Sequence, residues 1–199
     1  MAVSLQKGQK ISLEKTSGGA LNQVAMGLGW DVAQANAGGG FLGKLFGGGS
    51  GGSIDLDASC LLFDANKNLV DAVWFRQLRS NDGSIYHTGD NLTGVGDGDD
   101  EVIMVDLTQV LPQVQALVFT VNSFTGQTFE RVANAYCRII NASNQQEIAR
   151  YNLSAQGEHT AMVMAKVYRH NGEWKMHAIG ETATGRTFDN LVPLILPHL

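Results

Sequence analysis

Between Arg79 and Arg131 the chain carries no lysine or arginine, yet it holds Asp82, Asp90, Asp97, Asp99, Asp100, Glu101, Asp106 and Glu130. The acids are densest in residues 87–101, HTGDNLTGVGDGDDE. Two carboxylates about 5 Å apart repel by about 3 kcal/mol at an effective dielectric of about 20. Several on one loop spread it unless a cation neutralises them. Gly89, Gly94, Gly96 and Gly98 let the main chain bend so that carboxylates and carbonyls converge. Hard oxygen donors without His or Cys among them suit Ca2+ or Mg2+. Ca2+ fits better, because it takes about 6–8 oxygens in tolerant geometry. His87 flanks the loop, but one imidazole does not argue for zinc. In extended chain, neighbouring side chains point to opposite faces, so Asp97 and Asp99 share a face while Asp100 looks away. That arrangement favours two ions. Asp55 and Asp57 alternate with Ile54 and Leu56, a strand spacing that places both carboxylates on one face as further ligands. A merely solvated loop is the competing reading; the density of acids and the lack of basic neighbours weigh against it.

Two other segments imitate a metal loop. Asp64-Ala65-Asn66-Lys67-Asn68 opens like an EF-hand, but Leu69 stands where glycine is required and Phe75 where the bidentate glutamate would fall. It reads as a hairpin turn. Asn81-Asp82-Gly83 is likewise a turn, with an oxygen to spare for the site.

The elements that must position these residues read mostly as strands. Segments 11–15, 24–30, 54–63, 102–107, 116–122, 136–140, 148–153 and 162–168 are alternating or continuously apolar. They are split by Asn, Gly and Asp clusters, as in a sandwich or barrel. Asn171-Gly172 between VYRH and EWKMHAIG marks a type I′ hairpin. Only residues 128–135 and the C-terminal end look helical. The expected fold is all-β: a β-sandwich of two mainly antiparallel sheets with short helical segments. Residues 1–199 are expected to form a single domain, interrupted by a flexible glycine-rich insertion at 38–53. Inside that insertion, 41–46 (FLGKLF) reads as a mobile excursion, or more sharply as a docking patch.

Composition narrows the function. The chain has 199 residues, 44% of them hydrophobic, which fits one core. Lys and Arg total 14 against 19 Asp and Glu, a net charge of −5. That balance disfavours nucleic acid or anionic lipid as a partner held by charge. No run of about 20 apolar residues is present to insert directly into a membrane. The N-terminus has no basic segment followed by an apolar one. Cys60 and Cys137 sit in apolar runs and read as buried thiols rather than a disulfide framework. The expected compartment is the cytoplasm.

Particular motifs also resemble a family. The opening MAVSL with KGQKISL at 7–13, Gly27-Leu28-Gly29-Trp30-Asp31, Asp55-Leu56-Asp57-Ala58-Ser59, His87-Thr88-Gly89-Asp90-Asn91, Gly94 through Glu101, and YRHNGEWK at 168–175 are similar, in collinear order, to TerD-type tellurium-resistance proteins. The resemblance implies a β-sandwich that binds two calcium ions through its acidic loop. On this chain the implied metal set is Asp31, Asp55, Asp57, Asp90, Asn91, Asp97, Gly98, Asp99, Asp100 and Glu101. It also implies a cytoplasmic bacterial protein of tellurite or general stress response. Its partners would be other tellurium-resistance or stress-response proteins in a membrane-associated complex. The glycine-rich insertion and the ending after Gly180, with its apolar 191–196 run, depart from the family pattern.

Three classes of function follow. The first is a calcium-dependent binding or scaffold module that catalyses nothing. The second is a metal-dependent hydrolase or phosphoryl-transfer enzyme using the same acids, although no nucleophile elbow, phosphate-binding loop or acid–base partner besides His87 is evident. The third is direct thiol chemistry at Cys60 or Cys137, which would need exposure and an electropositive setting.

Overall fold

The computed structural model describes residues 2–32, 55–89, 98–153 and 155–199, with the side chains of Val32 and Arg131 left aside. The described strands are β1 (Val3–Leu5), β2 (Lys10–Ser12), β3 (Gln23–Val32), β4 (Asp57–Asp64), β5 (Leu69–Val73), β6 (Ile85–His87), β7 (Glu101–Asp106), β8 (Val114–Asn122), β9 (Val132–Asn141), β10 (Gln146–Asn152), β11 (Ala161–His170) and β12 (Glu173–Ala183). They form two six-stranded sheets, ordered β1-β10-β9-β3-β7-β6 and β2-β12-β11-β8-β4-β5. Every pairing is antiparallel except β1 with β10. The expected all-β sandwich of two mainly antiparallel sheets is therefore what forms. The glycine-rich insertion and its 41–46 motif lie outside the described residues.

Alternation explains the core. Met26, Leu28 and Ile139 of one sheet meet Cys60, Leu62, Phe119 and Met164 of the other in one buried cluster. Leu61 and Phe63, one step out of phase, belong to a second cluster with Val118, Val163, Phe188, Leu191 and Ile195. The second sheet is thus covered on both faces, which is why 58–63 reads as an unbroken apolar run. Its outer cover is the C-terminal segment: a 3₁₀ turn at Phe188–Leu191 and a short helix α2 at Val192–Ile195. The apolar 191–196 run points inward at Leu191 and Ile195, both fully buried.

Several local expectations change. Residues 11–15 do not continue as a strand: Ser12 caps a helix α1 (Leu13–Ser17) by accepting from the Lys15 N–H at 3.3 Å. Gly18, at φ 81, closes it in the left-handed region that glycine enters freely. Residues 128–135 are not a helix. Only Phe129–Arg131 make a 3₁₀ turn, and β9 then begins. Val132 and Ala135 are both buried three residues apart, a helical spacing that comes from a strand irregularity between them. The turns behave as read. Asn171 and Gly172 have φ 52 and 78, the double left-handed step of a type I′ turn. The Asp64 carboxylate is spent on its own hairpin, accepting from the Asn66 and Asn68 N–H groups at 2.8 Å each. Asp82 likewise accepts from the Ser80 and Ser84 hydroxyls at 2.7 Å, within its own turn.

Candidate functional site

The acidic loop spans the β6–β7 connection. Its ends are held at the adjacent ends of those two strands, where the Thr88 N–H donates to the Val102 carbonyl at 3.0 Å. Asp90, Asn91 and Asp97 lie outside the described residues. Gly98, Asp99, Asp100 and Glu101 are described, and Asp31 at the end of β3 joins them on the same rim.

Glu101 opens β7 with 2% exposure. Its Oε2 accepts from the Ala58 N–H at 2.6 Å and faces His87 Nε2 at 3.3 Å. His87 Nδ1 accepts from the Gly89 N–H at 3.1 Å, which leaves the ring proton on Nε2, directed at the carboxylate. Glu101 therefore ties β7 in one sheet to β4 in the other. Asp100 extends the β3–β7 ladder by one step. Its N–H donates to the Leu28 carbonyl and its Oδ2 accepts from the Trp30 N–H, both at 2.8 Å. Burial first, and then the charges of Asp31 and Asp99, raise its carboxyl above the ordinary range against the pull of the Trp30 N–H.

Asp99 has a basic partner that its sequence neighbourhood hides. Arg138 Nε donates to Asp99 Oδ1 at 2.7 Å, and the Tyr136 hydroxyl reaches the same oxygen at 3.0 Å. The Tyr136 hydroxyl also donates to the Gly98 carbonyl at 2.7 Å. Register explains it: Gly27 pairs with Arg138 on one side and Val102 on the other. A Cβ at Gly27 would stand 2.1 Å from Asp99 Oδ2, and one at Gly29 would stand 2.4 Å from the Tyr136 ring. The two glycines make the floor on which Asp99 and Tyr136 lie. Burial, and then Asp99, push the Tyr136 hydroxyl up to about 12. Arg138 also donates to Glu147 at 2.9 Å, and Arg150 bonds Glu147 as well, holding that carboxyl below its usual range.

A β-bulge shapes the rim. Gly29 pairs with Tyr136 and Asp31 with Ala133, so β9 carries one extra residue. Asn134 lies in the bulge at φ 50 and donates through Nδ2 to Asp31 at 2.7 Å. Beside it opens a cleft of about 600 Å³ lined by Trp30, Asp31, Tyr136, Arg150 and Asn152.

Of the ten predicted ligands, then, Asp31, Gly98, Asp99, Asp100 and Glu101 share one rim. Asp57, buried at the head of β4, and Asp55, half-buried just before it, connect to that rim through the Ala58–Glu101 bond. Among the described residues, no three His, Cys, Asp or Glu side chains gather closely enough to hold an ion. Arg138, Tyr136, Gly27 and Gly29 escaped sequence reasoning. The available signal was glycine at alternate positions of a strand, a mark of close approach.

The TerD domain family model matches residues 1–193. The chain belongs to the TerD family. Tellurium resistance protein TerZ of Serratia marcescens is 49% identical over 95% of this chain and 94% of its own length. Stress response protein SCP2 of Bacillus subtilis is 42% identical over 96% of this chain and 98% of its own. A solved homologue of telluride resistance protein (TerD) from Streptomyces coelicolor superposes with a TM-score of 0.65 at 20% identity, covering 89% of this chain and 96% of that one. That last likeness concerns the TerD fold alone. In this TerD domain both cysteines are fully buried. Burial, and for Cys60 also Asp71, pushes their thiols up, to about 12 at Cys137. A nucleophilic thiol needs the opposite setting.

Proposed function

We propose that this TerD-domain protein is a cytoplasmic calcium-binding module of a tellurite and general stress response, acting as a binding or scaffold protein rather than as an enzyme. The observation that supports the reading is that Asp31 and Asp99 lie near enough to Asp100, on the rim bounding the acidic loop, for their charges to act on it. Burial first, and then the charges of Asp31 and Asp99, raise the Asp100 carboxyl there. A divalent ion would offset the repulsion at Asp100 and favour its charged form, with the acids of the loop completing a set that the described residues do not make by themselves. Asp31, Asp100 and Glu101, with Asp90, Asn91 and Asp97 of the loop, are the residues to hold it, and two ions match the number of acids. Asp99 belongs to the set but is shared with Arg138. Asp55 and Asp57 stand behind Glu101. The partners fitting this role are other tellurium-resistance or stress-response proteins in a membrane-associated complex.

Thermal melts of chelator-treated protein, with Ca2+ or Mg2+ restored, test the reading. A ligand at a hundredfold excess over Kd stabilises the native state by about 2.7 kcal/mol. A rise of several degrees with Ca2+ beyond that with Mg2+ is expected. An unchanged melt with both ions, in protein shown to be metal-free, overturns it.

A further inference from the structure

In the opposite sheet, basic side chains line up without an ion-pairing acid among the described residues. His177 of β12 pairs in register with Lys10 of β2 on one side and Lys166 of β11 on the other. Residues directly opposite in a ladder point to the same face, so the three side chains form one row across three strands. The C-terminal turn closes the row. Lys166 donates to the His198 carbonyl, Lys67 donates to the Leu196 carbonyl at 3.0 Å, and the His198 ring lies 6.4 Å from that of His177.

Lys166 is 8% exposed. Among the described residues its ammonium spends one hydrogen-bond donor on His198 and otherwise faces the Tyr168 ring at 4.6 Å. His177 Nδ1 is buried and has no hydrogen-bond partner among the described residues. The acids along the same strand are already engaged: Glu173 by Lys15 at 3.0 Å and Glu181 by Lys7 at 3.6 Å. Like charges set directly opposite one another destabilise a sheet, and a buried ammonium is costly unless paired. Burial, then Lys10 and Lys166, bring the His177 ring down to about 4, and burial, then Lys10 and Lys67, lower Lys166.

We propose that the row Lys10–His177–Lys166, bounded by the turn carrying His198, is a binding site for a small phosphate-class oxyanion. A tetrahedral anion set against the row would accept from Lys10, His177 and Lys166, and its charge would cancel the repulsion within the row. The site is separate from the acidic rim and does not depend on the calcium reading.

The test follows the ring signals of His177 and His198 by NMR in the full chain. Inorganic phosphate is titrated in at fixed ionic strength, with chloride as the balancing anion. A saturable shift of both rings and a higher His177 titration midpoint are expected. Lys10→Met should weaken binding roughly tenfold, the loss of one charge-assisted contact. Lys10 is exposed, so this variant keeps the fold even where Lys166→Met does not. A parallel arm uses phosphatidate-containing vesicles. A response to free phosphate identifies a dissolved ion, and a response to vesicles alone identifies a lipid headgroup. No saturable shift in either arm, or a shift unchanged by Lys10→Met, overturns the proposal.

Discussion

Arg138 reaches Asp99 across a strand position that has no side chain: its Nε lies 2.7 Å from Asp99 Oδ1, with Gly27 beneath. The pair is well shielded, with Asp99 at 7% and Arg138 at 23% side-chain exposure. The acidic rim therefore contains its own counter-charge, delivered from β9 rather than from neighbouring sequence. Asp99 anchors the point where the loop returns to β7.

That arrangement makes Gly27 a sensitive position. Gly27→Ala places a methyl group 2.1 Å from Asp99 Oδ2 and must displace that carboxylate. The expected loss is about 1–3 kcal/mol in urea unfolding, the usual cost of overpacking. Gly19→Ala, which meets nothing within 4 Å, is the control and should change little. Equal stability of the two variants would contradict the packing described here.

Asp100 should respond in the opposite sense without metal. Its carboxyl is raised in the folded state, so ionisation is less favourable there than in the unfolded chain. Its contribution is therefore lost as pH rises above the ordinary carboxylate range. Asp100→Asn, which keeps an oxygen for the Trp30 N–H, should stabilise metal-free protein at neutral pH and diminish the response to calcium. Melts of variant and parent, with and without Ca2+, decide this; a less stable variant without metal would refute it.

Acid sensitivity should have two separate windows. His177 titrates at about 4 when folded against 6.5 ordinarily, because burial and then Lys10, Lys166 and His198 disfavour its charge. The unfolded chain binds more protons between those values, so stability falls as pH drops from 6.5 towards 4. Asp106, held at about 2 first by the Thr108 hydroxyl and then by Gln23, gives stability present above 3.8 and lost from there towards 2. Unfolding free energies across pH should flatten in the upper window for His177→Gln and in the lower one for Asp106→Asn.

The thiols should be silent in the folded protein. Cys60 and Cys137 are both 0% exposed. Mass spectrometry after brief treatment with iodoacetamide should find neither modified without denaturant and both modified with it. Rapid labelling of native protein would reopen thiol chemistry as a function.

Local signals in the sequence translate directly into structure. Asn171-Gly172 encodes its own backbone geometry, and the 58–63 run records a strand buried on two faces. Features that depend on a partner distant in the chain leave no such local mark. The stretch between 79 and 131 has no basic residue, yet Arg138 answers its charge through strand register, which no local window contains. The bulge at Asn134 shifted the apolar spacing of 132–135 and made a strand imitate a helix. Ser12 and Gly18 cap a helix, a signal that the alternation at 11–15 masks. For the rim, the loop's glycines and acids were legible as types. The alternate glycines of β3, which decide where Asp99 and Tyr136 rest, were read only as part of an apolar strand.

The bond from Ala58 to Glu101 gives the acidic end of the molecule a mechanical role. One carboxylate oxygen fastens two layers together while facing His87 in a space closed to solvent. Whatever draws on Glu101 therefore also draws on a bond between the two sheets. The acidic rim and the packing of one sheet on the other share a single oxygen atom.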